Sequence, residues 1–244
     1  MKKRLILVVS LGLAACQSET PSADIAPDVL SSADTMNDVA DRYYTWTLER
    51  LPEQAYFAAV ELDSHDGLFD NSPQALATAQ RTEDAFLAEV EDIDAADLVG
   101  KPEWIAKALL EQQLSSNVAR RVCRQELWNI SQMGGWHSAY AQIAMLQPVD
   151  TLEQREQALA RWAKVPAFVD QEIANLQTGI EQGYTVPKTV AGRVIAQLDG
   201  LLALPVDQSP FYSPALRAND DEFSTALREI VDTGIQPGLQ RVRE

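Results

Sequence analysis

Residues 102–122, PEWIAKALLEQQLSSNVARRV, decide the fold class. Leu110, Leu114, Val118 and Val122 recur every four positions, which in a helix brings them onto one face. Pro102 stands at the start, where the missing N–H of proline is tolerated. The same period appears upstream. Met36, Val39, Ala40, Tyr43, Tyr44, Thr47 and Leu48 follow Asp34 at three- and four-residue spacings, and Pro52 marks a boundary.

Working outward, Ser72-Pro73 reads as an N-cap followed by proline at the first helical position, opening a helix to about Val90. Residues 61–72 form a turn-rich loop before it, and Asp92 to Gly100 an acidic linker after it. Gly134-Gly135 interrupts the next stretch. Thr151-Leu152-Glu153-Gln154 fits a capping box and predicts a helix to about Ala163. Pro166 then kinks that helix or begins a second one ending at Gly183. Another helix is expected from Pro187 to about Leu204, and Pro205, Pro210 and Pro214 predict a stiff surface loop. Asn219 is the expected cap of the last helix. No strand-like alternation of useful length occurs. The fold class is therefore mainly α, an antiparallel helical bundle over residues 34–244.

Composition narrows the function. The chain of 244 residues has 20 Lys+Arg against 36 Asp+Glu, a formal net charge of −16. That acidity speaks against nucleic acid, whose binding needs a basic face. A hydrophobic share of 46% supports a packed core rather than an acidic disordered chain. With two histidines and two cysteines, the chain is poorly equipped for a multi-ligand zinc or iron–sulfur site.

The first fifteen residues read as a signal peptide: Lys2, Lys3 and Arg4, an apolar run from Leu5 to Leu13, then small residues before Cys16. Nine residues rise roughly 14 Å as a helix, against the ~30 Å of a hydrocarbon core, so the run does not span a membrane. Leu13-Ala14-Ala15-Cys16 resembles the lipobox of bacterial lipoproteins, which implies diacylglyceryl transfer to Cys16 and a lipid-anchored protein. Gln17 in place of Asp implies, by the same resemblance, the periplasmic face of the outer membrane. Residues 16–33 are then a flexible tether. Loss of Lys2, Lys3 and Arg4 takes the formal charge from −16 to −19. Cys123, left without a disulfide partner, is expected to be a small buried hydrophobe.

Catalytic signatures are missing. Neither phosphate-loop pattern occurs, nor does G-x-S-x-G. His65 is followed by Asp66-Gly67 and His137 by Ser138-Ala139, so neither begins H-E-x-x-H, whose spacing places two imidazoles on one helical face around zinc. The 61–72 loop fails EF-hand spacing because His65 holds the third position; it reads as a solvated acidic loop bonding its own turns. Arg124 is a candidate for carboxylate binding in a cleft, or else for an ion pair between helices. Trp136 with His137 is a candidate cleft wall, or else a core aromatic with a satisfied polar edge.

The run Cys123-Arg124-Gln125-Glu126-Leu127-Trp128, then Gln132 through Trp136-His137, then Gln147-Pro148-Val149-Asp150-Thr151, resembles the N-terminal half of the bacterial domain-of-unknown-function 885 family. Ala160-Arg161 with Val165-Pro166, Gly179 through Pro187-Lys188, and Ser209-Pro210-Phe211 extend the match in order. The resemblance implies a helical, zincin metallopeptidase-like protein of well over twice this length, with H-E-x-x-H in its C-terminal half. It carries over Arg124, Glu126, Trp128, Gly135 and Trp136 as architectural residues, and no catalytic residue, zinc ligand or general base.

Two readings follow. In the first, the chain is the N-terminal half of a lipid-anchored peptidase-like protein, supplying a wall of a peptide cleft. Zinc would lie in a C-terminal half absent from this sequence, and the last helix, through Ile235, Leu239 and Val242, would run on without a stop signal. In the second, it is a complete, non-catalytic helical lipoprotein that binds a ligand or partner.

Overall fold

The computed structural model describes residues 30–244. The signal peptide, Cys16 and the tether up to residue 29 lie outside the described residues. Within them every regular element is helical and no strand occurs, which agrees with the mainly-α reading.

Helix α1 (Ser32–Arg50) begins at Ser32 rather than Asp34, because Ser31 is extended and its hydroxyl accepts from the Asp34 N–H. Pro52 does more than end it. It opens a short helix, α2 (Pro52–Ala58), that the spacing did not announce. Helix α3 (Pro73–Asp92) is capped by Ser72 as expected, and α4 (Glu103–Arg120) follows Pro102. The α4 stripe is shorter than its sequence pattern. Leu114 is fully buried, but Val122 is 79% exposed, since the helix gives way to a tight 3₁₀ turn over Arg121–Cys123.

Helices α1, α3 and α4 share one core of Met36, Val39, Phe86, Val90 and Leu114. Cross-links between residues 107 and 90 and between 121 and 84 set α3 antiparallel to α4. The segment after α3 is not a solvated linker: Asp94 caps a 3₁₀ turn, Ala95–Leu98, and Ile93 and Leu98 insert into this core.

The larger core is built by α5 (Trp136–Leu146), α6 (Leu152–Trp162), α7 (Val165–Glu181) and α8 (Lys188–Leu202), with α9 (Ser213–Ala218), α10 (Asp221–Ile230) and α11 (Gln236–Arg243). The Thr151–Gln154 capping box forms in full, and Pro166 begins α7 rather than kinking α6. The proline-rich stretch 205–214 is a surface loop only over its first half, where Pro205, Asp207 and Gln208 are exposed. Two 3₁₀ turns carry Phe211 and Tyr212 inward, and Phe211 meets Trp162 edge-on at 6.0 Å, a pairing that contributes about 1 kcal/mol beyond its buried area. Asn219 does not cap α10. It takes a left-handed φ of 48°, which short polar side chains tolerate, and Asp220 supplies the cap by accepting from the Phe223 N–H.

The last helix is interrupted by a π turn, Val231–Ile235, just before Pro237. The proline lacks an N–H and its ring crowds the carbonyl four residues back, so the wider turn accommodates it.

Candidate functional site

The link between α4 and α5 gathers most of the carried-over residues. Two 3₁₀ turns, Arg121–Cys123 and Gln125–Leu127, are joined by Arg124 at φ 45°, ψ 48°. A side chain in this left-handed region costs roughly 1–2 kcal/mol, so neighbouring contacts must hold it there. Three do. Trp128 Nε1 donates to the Cys123 carbonyl at 2.8 Å, and Arg124 Nε donates to Glu126 Oε1 at 2.6 Å. Leu127, 4% exposed, packs onto α7 at Gly179, where a Cβ would overlap the Leu127 carbonyl oxygen.

The ion pair between helices belongs to Arg121, not Arg124. Arg121 Nη1 donates to Asp84 at 2.7 Å, and its Nη2 to the Gln80 carbonyl at 2.9 Å and to Glu83 at 3.2 Å. Arg124 is paired locally, two residues along the chain. Cys123 is exposed, contrary to its expected burial, because it sits on the turn that leaves α4.

This link separates two cavities. One, about 620 Å³, lies among α1, α3, α4 and the link, and includes Tyr43, Trp46, Arg50, Asn117 and Arg120 in its lining. The other, about 490 Å³, reaches Asn175 and Thr178 of α7 and includes Arg124. Leu76, Gln80, Arg121 and Glu126 line both. Arg50, Tyr43 and Trp46 were not singled out as site residues from sequence. The only signal for them was the four-residue step from Trp46 to Arg50 just before Pro52.

Trp136 and His137 are not brought to this site. Trp136 is 8% exposed and stands edge-on to Phe168 at 5.6 Å. His137 is buried, with Nε2 3.0 Å from Gln197 Oε1, and burial lowers its pKa from the usual 6.5. Its edge borders a separate cavity of about 310 Å³ beside Ser138 and Gln197.

The 61–72 loop is clasped rather than free. Arg161, fully buried, donates to the Gly67 carbonyl, to the Tyr56 hydroxyl at 2.6 Å and to Gln147 Oε1 at 2.9 Å. Since the Tyr56 oxygen accepts from Arg161, its own proton points to His65 Nδ1 at 2.7 Å. Burial and the Arg161 charge lower the His65 pKa, which suits that acceptor role. At the loop's end Asn71 donates to Glu172 at 2.7 Å and receives a hydrogen bond on its carbonyl from Asn175. Burial raises the Glu172 pKa despite the donors Asn71 and Asn129. Local turns of the predicted kind also exist, as in Ser64 donating to Asp66.

Among the described residues no group of three or more His, Cys, Asp or Glu is placed to hold a metal ion. His65 Nδ1 and His137 Nε2 are each engaged with a different protein partner, Tyr56 and Gln197. No described helix is long and apolar enough to cross a membrane.

The profile of a family described as bacterial protein of unknown function (DUF885) matches residues 52–244. Among curated proteins nothing matches the chain. Among solved structures, a protein described as a lipoprotein from Colwellia psychrerythraea is similar in fold, with a TM-score of 0.69 at 13% identity. The match covers 88% of this chain and 41% of that one, so the chain spans less than half the length of its structural relative.

Proposed function

Because the chain belongs to the DUF885 family of bacterial proteins, we propose that it supplies the helical wall of a peptide-binding cleft in a lipid-anchored, zinc peptidase-like protein. The observation that carries this reading is the link at Arg121–Trp128: a strained, heavily braced segment that divides two cavities instead of filling a core. Zinc and the activating carboxylate would come from sequence outside this chain, in keeping with its coverage of 41% of the structural relative. The chain alone then binds peptide without cleaving it. Incubating the 244-residue chain with one equivalent of zinc and a mixed peptide library tests this: no cleavage is expected, and zinc-dependent cleavage overturns it. Cys16 would carry the lipid. Cys16→Ser should move the protein from the membrane fraction to the soluble one and remove the diacylglyceryl mass, and an unchanged distribution and mass overturn the anchor.

A second reading, a self-sufficient ligand-binding lipoprotein without catalysis, draws support from the C-terminal helix. Ile235 and Leu239 are each 1% exposed and complete the larger core from within the chain. It predicts a single cooperative unfolding transition for the chain alone, and a molten, dye-binding preparation would count against it.

A further inference from the structure

The 620 Å³ cavity brings together two arginines that no described carboxylate pairs. Among the described residues Arg42, Lys107, Arg121, Arg124, Arg155, Lys164, Arg241 and Arg243 pair with a carboxylate, and the other cations do not. Arg50 and Arg120, both lining this cavity, form no ion pair among the described residues. Arg50 lies 5.7 Å from the Trp46 ring centroid and 5.6 Å from that of Phe69. Stacking of this kind orients the planar guanidinium while leaving its N–H donors unspent. Arg120 is bonded through Nη2 to a neutral amide, Asn117 Oδ1, at 2.6 Å. The two carboxylates in the lining, Glu83 and Glu126, are already paired with Arg121 and Arg124. Two cations therefore remain uncompensated at one cavity.

The rest of the lining limits what anion fits. Gln54, Gln80, Gln113 and Gln125 offer both donors and acceptors, and Tyr43 and Trp46 offer ring faces. Such amides match peptide groups, which both donate and accept, whereas inorganic phosphate, with most of its oxygens acting as acceptors, would use chiefly the donors. The volume falls within the ~300–1,000 Å³ of small-ligand sites. We propose that this cavity binds the C-terminal carboxylate of a short peptide, with Arg50 as the orienting fork, Arg120 as the second cation and the amides on the adjoining peptide bonds. The inference names the ligand group for the cleft and so rests on the peptide-binding reading above.

Calorimetric titration of the full chain with N-acetyl-Ala-Ala-Phe, its C-terminal amide and inorganic phosphate tests it. The free acid should bind at least tenfold more tightly than the amide, and phosphate more weakly than the acid. Arg50→Gln should abolish the preference for acid over amide, Arg50→Lys should keep part of it, and Arg120→Gln should reduce it without touching the Trp46–Phe69 stack. Thermal midpoints within a few degrees of the parent's verify folding. Equal affinity for acid and amide, no binding at millimolar peptide, or phosphate binding as tightly as the acid each overturn the proposal. Because binding is read and not cleavage, the two readings fail separately: zinc-dependent cleavage by the chain alone would sink the proposed division of labour while leaving the carboxylate preference standing.

Discussion

Arg161 Nε donates to the carbonyl oxygen of Gly67 at 2.7 Å, across 94 positions of sequence. One buried cation on α6 thereby fixes the backbone of a loop rich in aspartate, using carbonyl, phenol and amide acceptors rather than a salt bridge. The loop's other end is held by Asn71 against α7. Phe69, between these anchors, is the residue that stacks on Arg50 at the cavity.

Replacing Arg161 by Leu strands three acceptors at once, the Gln147 amide fully buried and the Gly67 carbonyl and Tyr56 hydroxyl half-buried. Hydrogen bonds to charged donors are each worth about 1.5–3 kcal/mol, so a loss on the order of 3 kcal/mol is expected in urea unfolding. Amide exchange over residues 61–72 should accelerate more than elsewhere. A loss below about 1 kcal/mol would show that the clasp is not what orders the loop.

Gly179→Ala sets two effects against each other. Helix propensity favours alanine by about 1 kcal/mol, but the new Cβ would overlap the Leu127 carbonyl oxygen, a backbone atom held in a 3₁₀ turn. Overpacking costs typically about 1–3 kcal/mol, so net destabilisation is expected in a denaturant titration, together with displacement of the 121–128 link. Net stabilisation would mean that the link does not pack on α7 in solution.

Glu172 carries a pH signature. Its folded pKa is raised above the usual 4.5 by burial, so between 4.5 and the folded value the native state holds more protons than the unfolded chain. Stability therefore falls as pH rises through that window. Glu172→Gln keeps an acceptor for Asn71 and removes the buried charge. Thermal melts of the variant should show a shallower decline as the pH rises above 4.5, and curves parallel to the parent's would refute the assignment.

His137 acts with the opposite sign. Its folded pKa lies below 6.5 because burial disfavours the cation, so below 6.5 the unfolded chain gains protons first and stability is lost on acidification. His137→Gln should lessen the loss seen on lowering the pH through 6.5. Part of the loss should persist, since His65 is shifted in the same direction. A variant as acid-sensitive as the parent would show that His137 is not buried as described.

Helix positions were legible wherever a local rule governs them. Ser72 and Thr151 cap as their types and spacing require, because capping bonds span only three residues. The cap expected at Asn219 falls one residue on, at Asp220, whereas two other misreadings have a tertiary cause. Val122 continues the α4 pattern and Cys123 is expected to be buried, yet a left-handed turn at Arg124, held by Trp128 and by Gly179 far along the chain, ends the helix before them. The 205–214 prolines predict a surface loop by composition, and only the Phe211–Trp162 contact explains why its second half is buried.

By itself, then, the sequence determined the helical class, most caps and breaks, and the ordered motifs of the family, since periodicity and capping are local and family motifs persist as strings. Tertiary structure alone decided which charges are spent. Arg121, Arg124, Arg50 and Arg120 are one residue type in sequence, and two are neutralised while two are left facing a cavity. Whether a guanidinium is free depends on which carboxylates come within about 4 Å, and that distance is set by helix packing across dozens of residues.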